Sequence, residues 1–240
     1  MAAEKIFVIQ KEIYYSTPMF DIKQVTIFST LSPQEEKEVS RLILTNTFRK
    51  KEAIFSEGDP SEWFYIVKKG KVKITKLSQD GKELILEVIS PLEFFGGIAV
   101  VRGFPYPANA VAMEDTEVLK ISRKDLMSLM DRFPSLMYCM AMNIGDRIKG
   151  SHETLKSIAL EKVEARIASL LLKIADKAGE KVPEGIVINM KLTKQDIAEM
   201  VGTTVETSIR TMSKLTKAGI VSVKAGNIII RDPNKLKSLM

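Results

Sequence analysis

Between about Phe48 and Ile121 the chain is cut by turn signals at short intervals, and from Arg123 to about Leu160 it is hardly cut at all. Those two stretches demand different architectures. In the first, Glu57-Gly58-Asp59-Pro60, Lys69-Gly70, Gln79-Asp80-Gly81-Lys82, Gly96-Gly97 and Gly103 separate apolar runs such as Phe64-Tyr65-Ile66-Val67 and Leu84-Ile85-Leu86-Glu87-Val88-Ile89. Many short runs rich in β-branched and aromatic residues predict an antiparallel sandwich or barrel. Asp80-Gly81, between Leu77 and Leu84, is the strongest hairpin signal. In the second stretch Pro134 is the main interruption, and beyond it Met137, Ala141, Ile144, Ile148, Ser151, Leu155 and Ile158 recur with alternating gaps of four and three. That is a heptad seam, and a seam beside a barrel most simply pairs with its own copy; an ordinary amphipathic helix lying on the barrel is the alternative. Gly145 and Gly150 would weaken an isolated helix, so packing must hold it.

Ahead of the barrel, residues 1–25 hold short apolar runs around Ile6 and Ile13 and then Pro18, and read as an extension packed on the core. Ser32-Pro33-Gln34-Glu35 has the form of a helix start, with Val39, Leu42 and Ile43 on one apolar face. The 240 residues are 45% hydrophobic and 28% charged, enough for two modest domains. No uncharged stretch approaches the roughly 20 apolar residues of a membrane span, and a signal peptide's basic-then-apolar order is missing, so a soluble cytoplasmic protein without a membrane partner is expected. A single cysteine, Cys139, cannot hold an iron–sulfur cluster alone, and a single histidine, His152, makes a catalytic triad hard to assemble. No enzyme is expected. Residues 161–240 carry 14 Lys and Arg against 9 Asp and Glu, while residues 1–160 carry 22 against 21. The basic excess points to a polyanion partner for the last third, although a solvated lysine-rich surface would give the same balance.

That last third opens with a helix from Val163 to Ala178, followed by Gly179, the turn Pro183-Glu184-Gly185 and a short strand at Ile186-Val187-Ile188. Thr193 then caps a helix of about two turns ending at Gly202, and Thr203-Thr204 start a second from Val205 to Ala218. Two short helices joined by a Gly turn make a helix-turn-helix, with Ile197, Ala198, Val201, Ile209, Met212 and Leu215 as its small core. The second helix exposes Val205, Glu206, Ile209 and Arg210 near its start, so Ile209 is claimed by both faces. Glu accepts from cytosine N4 and Arg binds guanine bidentately, and four residues apart they share one face. A surface ion pair would show the same spacing. Ile220 to Val223, Gly226-Asn227 and Ile228 to Ile230 form a hairpin carrying Lys224, a wing. Threonines at helix starts suit phosphate oxygens, and Lys214 and Lys217 add charge. The expected DNA-contacting set is Thr193, Gln195, Thr203, Thr204, Val205, Glu206, Thr207, Ile209, Arg210 and Lys214.

The run Gly202-Thr203-Thr204-Val205-Glu206-Thr207-Ser208-Ile209-Arg210 resembles the recognition signature of the CRP/FNR regulators. Its Val-Glu-Thr order is nearer the FNR branch than the cyclic AMP receptor, which has Arg before the Glu. The resemblance extends over about residues 28–235, with Gly58, Gly70, Gly81 and Gly96 at the turns and Val163-Glu164-Ala165-Arg166-Ile167-Ala168 after the long helix. It implies an α+β fold: a β-roll (cupin-like jelly-roll) sensor domain over 26–130, a dimerisation helix over 131–160 and a C-terminal winged helix-turn-helix over 161–240. It also implies a homodimeric activator that binds double-stranded DNA at a palindrome, Glu206 and Arg210 reading a G·C pair in a TGA-like half-site. RNA polymerase is a further partner, with Asp80 to Leu84 and the 179–185 loop as contact surfaces. Ile209 stands where a Ser is common in the FNR branch, which leaves the outer bases of the half-site open.

In nucleotide-binding relatives a Glu of the phosphate cassette holds the ribose and an Arg the phosphate. By the same resemblance, Gly97 stands at the Glu position, Tyr106 at the Arg position and Pro107 at the neighbouring Ser/Thr position. An anionic phosphate would be desolvated there without a counter-charge, since Arg102 is the only basic residue near it in sequence. The expected effector is therefore not cyclic AMP but an unidentified small molecule or a haem-bound gas such as NO. Phe95, Gly96, Gly97, Tyr106, Pro107, Ser151 and His152 form the expected effector site. No metal site is expected beyond His152 as a candidate haem ligand, against which a polar residue flanking the seam is the simpler reading. The rival functions are a regulatory subunit that binds a cyclic nucleotide and a constitutive DNA binder whose barrel is only structural.

Overall fold

The computed structural model describes residues 20–240. Most of the extension assigned to residues 1–25 lies outside the described residues. From Phe20 onward two short 3-10 turns bury Ile22, Val25, Ile27 and Phe28 in the core of the first domain. The helix start at Ser32 is a capping box: Ser32 Oγ accepts from Glu35 N, and Glu35 Oε2 accepts from Ser32 N at 2.7 Å. It opens α1 (Pro33–Arg41), with the proline where its missing N–H costs nothing.

The turn-rich stretch folds into β1 (Leu44–Phe48), β2 (Ala53–Phe55), β3 (Trp63–Lys69), β4 (Val72–Leu77), β5 (Glu83–Ile89), β6 (Phe94–Phe95), β7 (Asn109–Ala112) and β8 (Thr116–Ser122), with α2 (Gly97–Arg102) between β6 and β7. They form two antiparallel sheets, ordered β1-β8-β3-β6 and β2-β7-β4-β5, the β-roll. Phe64, Ile66, Val118 and Ile121 of one sheet and Val72, Ile89 and Ala110 of the other are fully buried. Burying one such large side chain contributes about 1.5–3 kcal/mol. The Lys69-Gly70 turn shows why glycine stands there. Gly70 has φ +86°, and a Cβ on it would lie 2.5 Å from Thr116 Oγ1 and 2.8 Å from the Asp115 carbonyl. The Asp80-Gly81 hairpin joins β4 to β5 as read, with Gly81 at φ +78° and its N–H donated to the Ser78 carbonyl at 3.0 Å.

The long uninterrupted stretch is two helices, α3 (Arg123–Arg132) and α4 (Pro134–Leu160). Pro134 has no N–H to continue the ladder and its ring disfavours a helical Phe133, which takes φ −124° and ψ 78° instead. Along the 27 residues of α4, Leu136 and Met140 sink into the β-roll core, and Ile144 packs half-buried against it. Met137, Ile148, Leu155 and Ile158 of the heptad seam are exposed, as are Tyr138, Met142 and Leu160.

The last domain runs α5 (Val163–Ala178), β9 (Gly179–Val182), β10 (Gly185–Ile188), α6 (Lys194–Val201), α7 (Val205–Lys217), β11 (Val221–Lys224), β12 (Asn227–Ile230) and α8 (Pro233–Lys237). Its sheet is ordered β11-β12-β10-β9. Residues 179–185, read from the sequence as a loop, contain the edge strand β9. Gly-Glu-Lys-Val shows no apolar alternation, and it is extended because Val182 to Gly179 pair with Gly185 to Ile188.

Candidate nucleic-acid interface and ligand cavity

The two short helices are set by their caps. Thr193 Oγ1 accepts from Asp196 N at 3.0 Å while Asp196 Oδ2 accepts from Thr193 N at 2.8 Å, so α6 starts on a reciprocal box. It ends at Gly202, in the left-handed region at φ +63°, where Thr203 N reaches back to the Ala198 carbonyl at 2.9 Å. Thr204 then caps α7, accepting from Thr207 N at 3.2 Å. Ile197, Val201, Met212 and Leu215 are buried in one cluster with Ile167 and Leu171 of α5, and Ala198 is buried too. Arg166 of α5 donates to the Val201 carbonyl at 2.6 Å and pins the end of α6. One core assignment is corrected. Ile209 is 50% exposed, and the inward positions beside it are taken by Ser208 and Thr211, because α7 rests on α5 and α6 along the line Ser208, Thr211, Met212, Leu215.

Ile209 belongs instead to a groove lined by Glu206, Ile209, Arg210, Ser213, Lys214 and Lys217, one face of α7 from its first turn to its last. Glu206 and Arg210 are both exposed there, and no ion pair joins them among the described residues. The backbone N–H at the helix start, then the Thr204 hydroxyl, holds the Glu206 carboxyl below its ordinary range, so it stays an acceptor at neutral pH. Val205 is exposed beside it and Thr203 is half-buried in the turn. Two residues of the expected set are engaged elsewhere: Lys214 Nζ lies 2.8 Å from Glu164 Oε2, and Gln195 Nε2 donates to Glu199 Oε1 at 2.8 Å. The β11–β12 wing turns at Ala225 and Gly226, both at positive φ, with Lys224 exposed beside the tip.

The second site is a cavity of about 280 Å³ between the β-roll and α4. Phe95, Gly96, Gly97, Tyr106, Pro107 and Ser151 line it, together with Phe55, Phe94, Phe104, Ile74, Ile98, Ile144 and Ile148. His152, the next residue along α4, is exposed and does not line it. Among the described residues there is no group of three or more His, Cys, Asp or Glu side chains that could hold a metal ion. Arg102 is exposed and off the lining; the cation at the cavity is Arg147, from α4. Sequence spacing could not show this, because Arg147 lies 41 to 50 positions beyond the stretch it faces, from Gly97 to Tyr106. Arg147 donates to the Phe94 carbonyl, stacks its guanidinium 5.1 Å from the Phe94 ring centre, and lies 3.3 Å from Glu87 Oε1 of β5. Burial raises the Glu87 carboxyl above its ordinary value, against the pull of Arg147.

Gly97 and Tyr106, the positions that the resemblance assigns to the ribose- and phosphate-binding residues, are tightly packed. Tyr106 is 2% exposed, stacks on Phe55 with ring centres 3.7 Å apart, donates its hydroxyl to the Trp63 carbonyl at 2.5 Å and accepts from Trp63 N at 3.2 Å. Burial pushes its phenol well above the ordinary range, so it is neutral at any physiological pH. A Cβ at Gly97 would meet the Phe64 ring at 3.2 Å and the Met140 methyl at 3.3 Å, so a glutamate there would need both to move.

A roll of this topology joined by a long helix to a winged helix-turn-helix defines a class of DNA-binding regulator. The family models agree: residues 45–133 match the cyclic nucleotide-binding domain and residues 165–239 the Crp-like helix-turn-helix domain. The chain belongs to the CRP/FNR family of transcription regulators. It is 26% identical over 218 residues to the cyclic AMP receptor protein of Thermus thermophilus, covering 91% of this chain and 98% of that one. It is 28% identical over 192 residues to the global nitrogen regulator of Synechocystis, covering 79% and 85%. Among solved structures, FixK2 from Bradyrhizobium japonicum superposes with a TM-score of 0.73 at 26% identity, covering 82% of this chain and 96% of that one.

The packing of Gly97 and Tyr106 yields a direct expectation. Calorimetry with cyclic AMP up to millimolar concentration should give no saturable heat, because the one cation lining the cavity, Arg147, is already held by the Phe94 carbonyl and Glu87 and does little to offset the desolvation of a phosphate. A micromolar dissociation constant would overturn this reading of the cassette.

Proposed function

We propose that this regulator works in the cytoplasm as a homodimer on a palindromic DNA site with TGA-like half-sites, controlled by a small, largely apolar effector other than cyclic AMP. The observation that carries the proposal is that α7 exposes Glu206, Ile209 and Arg210 together, while Tyr106, at the position that the resemblance assigns to the phosphate-binding Arg, is buried. Glu206 is placed to accept from a cytosine amine and Arg210 to grip guanine, with Thr193, Thr204 and Thr207 at helix starts facing phosphates. The dimer rests on α4, whose exposed Met137, Ile148, Leu155 and Ile158 form a stripe too apolar to leave in water along a helix of this length. An effector in the cavity touches Ile144, Arg147, Ile148 and Ser151 of that same helix, so occupancy biases the two α4 helices and with them the recognition helices. As an activator the dimer would also meet RNA polymerase, the Asp80 to Leu84 turn being the open candidate surface.

Two measurements test this. Arg210→Ala should lose about 1–3 kcal/mol of base discrimination; if it still selects the wild-type palindrome from random DNA, the reading face is misassigned. Ile148→Asp would bury two like charges against each other across the dimer contact. It should yield a folded monomer by light scattering, with operator affinity reduced by orders of magnitude because linked half-site binding is lost. A variant that stays dimeric refutes the seam.

A further inference from the structure

The β4–β5 ribbon has the cavity on one face and the DNA-binding domain on the other. Ile74 and Glu87 are register partners across the ribbon, and both line the cavity. The neighbouring pair, Lys73 and Val88, are register partners too, and the pleat points them to the opposite face. There Val88 packs against the core of the winged domain. Lys73 Nζ lies 2.5 Å from Glu83 Oε2 of the ribbon and 3.4 Å from Glu199 Oε2 of α6. Glu199 in turn accepts from Gln195, on the same helix. The side chains of Lys73 and Glu199 are only 15% and 9% exposed, so this is a desolvated cluster of one ammonium and two carboxylates. Such a cluster adds little net stability, but it fixes geometry, because losing either partner strands a buried charge. Close packing of side chains on both faces resists deformation of the ribbon between the two sites.

Resting on the reading of the cavity as the effector site, we propose that the β4–β5 ribbon transmits cavity occupancy to the DNA reader, with Lys73 as the positioning residue that holds α6 to it through Glu199. Pressure on Ile74 or Glu87 tilts the ribbon, and Lys73 and Val88 carry the tilt into α6 and so into the helix-turn-helix. The route is separate from the dimer helix and needs no change in the seam.

The charge count makes the test directional. Lys73→Met keeps the side chain's apolar stem but leaves Glu83 and Glu199 facing each other unpaired. In the full-length dimer, amide exchange over residues 83–89 and 194–201 should rise at least tenfold, with α7 and the wing unchanged. Adding Glu199→Gln removes the repulsion and should bring exchange back toward wild type. For transmission, Ile74→Phe, which fills the cavity from the ribbon side, should shift affinity for a site selected by the wild-type protein at least fivefold in the wild-type background and less than twofold in Lys73→Met. Ala108→Leu, another cavity-filling change, serves if Ile74→Phe melts early. Equal shifts in both backgrounds, no shift in either, or unchanged exchange in Lys73→Met overturns the proposal. Failure of the wild-type protein to select any site would instead sink the proposed function.

Discussion

A single helix, α4, carries more apolar surface than the rest of the described chain covers. Leu136 and Met140 of α4 belong to the β-roll core, Ile144, Arg147 and Ser151 to the wall of the cavity, and Met137, Leu155 and Ile158 to neither. Ile148 stands on the border, lining the cavity at one edge and 52% exposed at the other. A helix with apolar residues round so much of its circumference is stable only when every face has a partner. The barrel covers one, and in the proposed function an effector covers another and a second copy the third. On that reading the cavity has one route to the dimer contact through consecutive turns of the same helix and a second, through the β4–β5 ribbon, that leaves the seam as it is.

In the proposed function the cavity keeps the family's fold but not its phosphate chemistry. A phosphate site needs an acceptor-free cradle and a counter-charge; here the cradle is packed with Phe55 and Tyr106, whose stacked rings and hydroxyl bonds to Trp63 satisfy all buried polar atoms of the tyrosine. The charge that remains at the cavity, Arg147, is tied to the Phe94 carbonyl and faces Glu87. What is left is a small volume with aromatic walls and a single polar corner, the general form of a site for a compact, mostly apolar molecule.

Much of this was legible in the sequence because the relevant signals are local. The caps at Ser32, Thr193 and Thr204, the Asp80-Gly81 turn and the Pro134 break are each decided within four residues, and the structure reproduces them. Ile209 went to both faces because apolar period alone cannot tell a core position from an apolar residue on a reading face; only the packing of Ser208 and Thr211 against α5 and α6 decides it. Strand β9 carries no pattern of its own and exists through its pairing with β10. Arg147, Glu87 and the Lys73–Glu199 pair were out of reach for a related reason. Lys73 and Glu199 are 126 positions apart, and their meeting depends on how two domains dock.

The central claim is that two copies of this chain read DNA as a symmetric pair, each through α7. Footprinting of the wild-type protein on a site selected from random-sequence DNA tests it most directly. The account predicts a palindrome with two protected half-sites on one face of the duplex, their centres about one helical turn, roughly 34–36 Å, apart. A selected site without symmetry, or a footprint confined to one half-site, would contradict it.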